Sequence, residues 1–191
     1  MAPKRVAILI SGRGTNMRAL IEARQNAYDV ALVVSNRPDA EGLATARALG
    51  IDALAIDHKL YGKDREAFER DLDALLVERG VELVALAGFM RVLTPFFVRA
   101  WRNRLLNIHP SLLPRHPGIH THARALAAGD REHGCTVHLV EEEVDAGRIL
   151  GQARMIIRAG DTAESLARGI LSLEHELYPR CLAAYAEALQ A

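Results

Sequence analysis

One pattern constrains this chain more than any other. Short runs of apolar, often β-branched residues keep returning, and segments with helical apolar spacing lie between them. RVAILI (Arg5–Ile10), VALVVS (Val30–Ser35), IDALAID (Ile51–Asp57), LVALAG (Leu83–Gly88) and LLNIH (Leu105–His109) read as strands. Such near-continuous apolar runs suit strands covered on both faces. A helix is expected from about Thr15, and a second over Gly42–Gly50, with Gly50 placed to stop it. A third is expected over Asp64–Gly80, where Phe68, Leu72, Leu75 and Leu76 share one face. Thr94 and Pro95 form an N-cap and first-turn pair for a short helix. Strands that alternate with helices need crossover connections, so the pattern predicts a parallel sheet with right-handed crossovers.

The second half changes character. Cys135–Glu142 alternates, with Cys135, Val137 and Leu139 on one side, and a DAGR turn leads into Ile149–Ile157. These two segments read as an antiparallel pair at the sheet edge. Asp161 to Glu164 resembles a capping box, and a long helical pattern follows to the C-terminus. Pro179 is expected to kink or divide that helix. No repeat, low-complexity stretch or linker interrupts the chain, so a single α/β domain over residues 1–191 is expected.

Composition narrows the function classes. Lys plus Arg and Asp plus Glu both number 24, so the formal net charge is zero. That argues against bulk binding of nucleic acid or a membrane surface. No run approaches the roughly 18–20 apolar residues needed to span a bilayer. The apolar stretch near the N-terminus is too short for a signal peptide and reads better as a first strand. Cys135 and Cys181 form no CxxC pair, which fits a reducing, cytoplasmic setting.

Four features could carry chemistry. SGRGTN (residues 11–16) follows the first strand and opens a helix, but position 17 is Met, so the dinucleotide fingerprint fails. No GK[ST] follows either. What remains suits one anion at a helix N-terminus, or is only a tight strand-to-helix turn. Asn107 and His109 stand two apart on the fifth strand, so their side chains share a face. An amide and an imidazole at a strand end could serve an oxyanion or a general acid, or could cap a turn. His116, His120 and His122 raise a metal reading, but Pro117 and Gly118 break the spacing, so no metal is expected. Glu141, Glu142, Glu143 and Asp145 form an acidic turn. If Asp145 lies near His109, it favours imidazolium and raises the histidine pKa. Glu174, on the last helix, reads from the residues alone as a surface carboxylate.

Together, ISGRGTN, DREAFERD, LAGFMRVL, LLNIHPSLLPRHPG, HGCTVHLVEEEVDAG and LEHELYP resemble the phosphoribosylglycinamide formyltransferase family over essentially the whole length. The resemblance implies a Rossmann-like formyltransferase fold, a mostly parallel sheet with an antiparallel edge and helices on both faces. It implies a phosphate-binding half over about 1–100 and a folate and catalytic half over about 101–191. Asn107, His109 and Asp145 match the catalytic trio. Gly12, Arg13, Gly14, Thr15 and Asn16 match the phosphate and ribose site of glycinamide ribonucleotide, and Glu174 matches the carboxylate on its amine side. Arg65, Met90, Arg91, Val92, Leu93, Asn107, Glu141, Glu142, Glu143, Val144 and Asp145 match the folate pocket. Two positions depart from the family pattern. Arg13 stands where smaller polar residues are common, and Arg148 stands where Pro often follows the DxG turn, which bears on the folate loop.

The implied reaction moves the formyl group of 10-formyltetrahydrofolate, a co-substrate, to the primary amine of glycinamide ribonucleotide, in purine biosynthesis. His109 and Asn107 stabilise the oxyanion, and Asp145 raises the His109 pKa and helps order a relaying water. The expected partners are these small molecules, with the protein a monomer or homodimer. A methionyl-tRNA formyltransferase would need a further domain and positive surface. A formyltetrahydrofolate hydrolase would carry an additional regulatory domain before the first strand. A non-catalytic phosphate-ligand module would not require Asn107, His109 and Asp145 together.

Overall fold

A computed structural model of the chain describes residues 2–24 and 27–190. Seven strands form one sheet in the order β3-β2-β1-β4-β5-β6-β7. β1 (Lys4–Ile10), β2 (Tyr28–Ser35), β3 (Ala53–Ala55), β4 (Leu83–Leu86) and β5 (Leu105–His109) pair in parallel. β6 (Glu132–Leu139) and β7 (Ile149–Ile156) add the antiparallel edge. The helices are α1 (Thr15–Glu22), α2 (Glu41–Ala48), α3 (Arg65–Glu78), α4 (Pro95–Ala100), α5 (Thr121–Ala127) and α6 (Ala163–Ala188).

The near-continuous apolar strands are explained by two cores, one on each face of the sheet. Val6, Ile8 and Ile10 of β1 pack with Leu106 and Ile108 of β5 against Met17 and Leu20 of α1 and Ile170, Leu177 and Leu182 of α6. Ala7 and Leu9 point the other way, to Phe68, Leu72 and Leu76 of α3 and Phe97 of α4. Period-two alternation thus buries every residue from Val6 to Ile10, because both faces are covered. Tyr178 is fully buried on α6, with its hydroxyl 3.1 Å from the carbonyls of Leu86 and Leu106, which fixes α6 under adjacent β4 and β5.

Several boundaries differ from the sequence expectations. β3 is three residues rather than seven; it is the sheet edge, and the Asp57 carboxylate instead accepts from the Lys59 amide to cap a short 3₁₀ turn. β6 ends at Leu139 and begins at Glu132 rather than Cys135, because Gly134, which resembles a turn residue, lies inside the pairing. A β-carbon there would meet the Ala153 carbonyl oxygen at 2.0 Å, so only glycine lets β7 approach. The capping box sits one residue later than expected. The Ser165 amide donates to Thr162 Oγ1 at 3.2 Å, and the Thr162 amide donates to Ser165 Oγ at 3.0 Å. Pro179 does not divide α6. Leu166, Ile170, Leu177, Tyr178 and Leu182 anchor the helix on both sides of it, and that burial outweighs the local cost of proline, about 3 kcal/mol.

Candidate active site

The chain runs outward from β1 through β2 to β3, then returns to β4 on the other side of β1. This reversal is the place where ligands collect at the carboxyl ends of a parallel sheet. The glycine turn, Gly88–Leu93 and the end of β5 all lie at that edge.

In the glycine turn, Gly14 is the N-cap of α1 with φ 73°, the left-handed region, and carries no side chain to satisfy the first-turn amides. A β-carbon on Gly14 would also meet Gly42 Cα at 3.2 Å, whereas one on Gly12 would meet nothing within 4 Å. The turn therefore offers open backbone beside the first-turn amides of Thr15 and Asn16. Arg13 is exposed and makes no ion pair among the described residues. Asn16 Nδ2 donates to Glu174 Oε2 at 2.8 Å, and Asn16 Oδ1 is buried without a partner. Glu174 is buried, not the surface carboxylate that its residue context suggests. Burial raises its pKa, against the lowering bond from Asn16. A buried carboxylate beside an unpaired amide oxygen is suited to a ligand rich in N–H donors.

β5 delivers Asn107 and His109 to one face, as the two-residue spacing requires. The antiparallel register sets Asn107 opposite His138 and His109 opposite Thr136. Asp145 reaches this point from the β6–β7 turn, in a left-handed conformation with φ 56°. Its Oδ2 lies 3.4 Å from His109 Nδ1 and its Oδ1 lies 3.7 Å from His138 Nε2, with the side chains of all three almost fully buried. The Gly118 amide donates to Asp145 Oδ2 at 2.8 Å. Turn geometry depends on Gly147, where a β-carbon would lie 1.8 Å from the Leu139 carbonyl oxygen. The trio is thus brought together from separate elements.

The electrostatics separate the pair. Burial pushes the Asp145 pKa up, but the nearby His138 and His109 imidazoles and the bond from the Gly118 amide outweigh it, so the net shift is downward. For His109, burial lowers the pKa; the His116 carbonyl and Asp145 pull it up without overcoming burial. Asp145 therefore acts in the expected direction, but the expected net rise at His109 is not met, because desolvation is the larger effect. Asp145 is ionised and His109 is mostly neutral at neutral pH. Nε2 of His109 lies 3.0 Å from the His116 carbonyl, which can only accept, so Nε2 carries the hydrogen. Nδ1 is then the nitrogen free to exchange a proton.

The residues matched to a folate pocket are less closely gathered. Met90, Val92 and Val144 are exposed apolar side chains, and Arg91 stacks over Phe68 at 5.1 Å. Leu93 packs on the core under α3. Glu142 pairs with Arg99 of α4 at 2.7 Å, while Glu141 and Glu143 are exposed. Arg65 is exposed at the start of α3, and no contact joins it to the trio. A cleft of about 560 Å³ opens beside these residues, lined by Gly12, Asn36, Lys59, Met90 and Arg91 among others. Arg148 keeps the β6–β7 connection closed through a 2.9 Å bond from Leu139 N–H to its carbonyl, and its guanidinium lies over Tyr185.

The structure adds residues that sequence reasoning missed. Asn107 Nδ2 lies 3.3 Å from His138 Nε2, whose other nitrogen donates to the Leu139 carbonyl at 2.7 Å. The signal for His138 was its place on an alternating strand bound for the edge beside β5. His116 and Gly118 contribute backbone groups, which no side-chain motif reveals. Three of the remaining histidines, His116, His122 and His133, gather behind the trio rather than in it. His116 pairs with Asp130, His122 with His133, and His120 is exposed. No group of three or more His, Cys, Asp or Glu side chains among the described residues is arranged to hold a metal ion.

The chain is similar to known proteins over most of its length. The family described as Formyl transferase matches residues 4–182. The phosphoribosylglycinamide formyltransferase of Escherichia coli is 42% identical over 185 residues, covering 95% of this chain and 87% of that protein. The chain belongs to the phosphoribosylglycinamide formyltransferase family. Its members include solved structures: glycinamide ribonucleotide transformylase 1 from Symbiobacterium toebii superposes with a TM-score of 0.93 at 45% identity, over 97% of this chain and 89% of that one. The Rossmann-like formyltransferase fold, mostly parallel with one antiparallel edge, is therefore that of the family. The trifunctional purine biosynthetic protein adenosine-3 of Drosophila melanogaster is 49% identical over 185 residues, which cover 94% of this chain. The chain spans only 14% of that longer relative. No helix described is long and apolar enough to cross a membrane.

Proposed function

We propose that this family member transfers the formyl group of 10-formyltetrahydrofolate to the primary amine of glycinamide ribonucleotide, a step of purine biosynthesis carried out in the cytoplasm. One observation carries the reading: an ionised Asp145 carboxylate 3.4 Å from the proton-exchanging nitrogen of a buried His109, with the Asn107 amide on the same strand face. That arrangement handles one proton and one developing negative charge, which is what acyl transfer to an amine requires.

The amine attacks the formyl carbon, and a C–N bond forms as charge grows on the formyl oxygen. His109 Nδ1 accepts the amine proton and becomes an N–H donor to that oxygen, while Asp145 stabilises the imidazolium. The second hydrogen of the Asn107 amide is the other donor. Collapse breaks the bond between the formyl carbon and N10 of the folate, and N10 takes the proton. No covalent enzyme intermediate is formed. In this reading the Gly12–Asn16 turn holds the phosphate and ribose, with Glu174 on the amine side. Met90–Leu93, Glu141–Asp145, Asn107 and Arg65 receive the folate. Phosphate binding then belongs to residues 1–100, and catalysis with most folate contacts to residues 101–191.

The test mixes purified protein with 10-formyltetrahydrofolate, with and without glycinamide ribonucleotide. Formyl loss that requires the amine substrate is expected. Equal loss without it would indicate a hydrolase, and no loss in either tube would indicate a binding module.

A further inference from the structure

The segment between β5 and α5 does more than connect them. Its main chain touches both members of the acid–base pair. The His116 carbonyl accepts from His109 Nε2 at 3.0 Å, and the Gly118 amide donates to Asp145 Oδ2 at 2.8 Å. His116 holds φ 53°, a region unfavourable for a residue with a β-carbon.

Its ring is gripped from the far side. His116 Nε2 lies 2.7 Å from Asp130 Oδ2, with side-chain exposures of 14% and 19%. The same ring meets His133 edge-on, with centroids 6.4 Å apart, and His133 is buried and paired with His122. Asp130 is itself fixed past the end of α5, where its amide donates to the Ala125 carbonyl at 3.1 Å. A continuous chain of contacts therefore runs from Asp130 through the His116 ring and backbone to the His109 imidazole.

We propose that His116, gripped by Asp130, is a positioning residue that sets the tautomer and orientation of His109. A carbonyl oxygen only accepts, so the bond requires hydrogen on Nε2. A neutral imidazole carries one N–H, which leaves the lone pair on Nδ1, beside Asp145. The opposite ring orientation would set a C–H against the carbonyl and forfeit the bond. Without the His116 carbonyl, the neutral ring would place its hydrogen on Nδ1 toward the Asp145 carboxylate, and the base would be lost. This inference rests on the proposed proton-transfer role of His109, and its test separates the two.

The experiment uses full-length protein labelled with ¹⁵N-histidine. NMR reads the His109 tautomer in the substrate-free state, and steady-state kinetics reads turnover. Three variants are compared. Asp130→Ala removes the grip. His116→Asn keeps a residue that tolerates the left-handed backbone but is too short to reach Asp130. Asp130→Asn keeps an acceptor for the His116 ring. Wild type should show the Nε2–H form. In Asp130→Ala and His116→Asn the Nδ1–H form should gain, with kcat down about tenfold and KM for both substrates within about twofold, the pattern of a lost proton-transfer geometry. Asp130→Asn should stay within about twofold of wild type in kcat, because its amide oxygen still accepts. An unchanged His109 tautomer in Asp130→Ala or, should that variant not fold, in His116→Asn would overturn the proposal. A tautomer shift with undiminished kcat would uphold the positioning and overturn the role of His109 in the chemistry.

Discussion

Replacing Asp145 with asparagine removes one charge and almost no volume. The amide oxygen can still accept from Gly118 N–H, the 2.8 Å bond that ties the turn to the loop before α5. The carboxylate 3.4 Å from His109 Nδ1 is what is lost. Unit charges about 4 Å apart interact by about 4 kcal/mol at an effective dielectric of about 20. His109 and Asp145 have side chains only 8% exposed, so water screens the pair incompletely. If half to all of that energy acts on the imidazolium formed during attack, kcat falls by about 30-fold to about 1,000-fold. The His109 pKa also falls further, since Asp145 no longer opposes burial, so the limb of the pH profile that reports His109 moves to lower pH. The assay is steady-state formyl transfer across pH, with circular dichroism to show that the fold persists. Turnover within twofold of wild type, with an unmoved profile, would refute the argument.

Two further outcomes follow from the same electrostatics. Glu174→Gln should raise KM for glycinamide ribonucleotide by about tenfold through loss of one charged contact. Its stability at pH 7 should equal or exceed wild type, because a carboxyl with a raised folded pKa penalises the fold above its unfolded pKa; a clear drop in melting temperature would contradict this. His109, His122, His133 and His175 all have pKa values lowered by burial, His133 to about 4. Their unfolded forms bind more protons below the model-peptide value of about 6.5, so stability is lost as pH falls from there to about 4. Urea midpoints measured between these pH values should fall, and His133→Gln should flatten the decline; a flat wild-type curve would count against it.

What the sequence discloses and what it hides have physical causes. Strands buried on both faces carry a strong apolar signal, so β1, β2, β4 and β5 were legible, β5 to the residue. Asn107 and His109 were legible because strand periodicity fixes which side chains share a face. Edge elements were harder: β3 has one partner, and Gly134 looks like a turn residue until β7 lies against it. The placement of Asp145 beside His109 came from family resemblance, since nothing local joins positions 36 residues apart in sequence. Glu174 misled for the same reason, as its burial depends on packing of α6 against α1. The net pKa direction at His109 required the depth of the site, and the roles of His116 and Gly118 lie in their backbones.

The most direct test of the account follows the formyl group itself. Protein is incubated with glycinamide ribonucleotide and 10-formyltetrahydrofolate carrying a ¹³C-labelled formyl carbon, and the label is traced by NMR. The label is expected on the substrate amine, with the rate reduced by at least about a hundredfold in His109→Ala. Label appearing as free formate, or transferred equally fast by the variant, would contradict it.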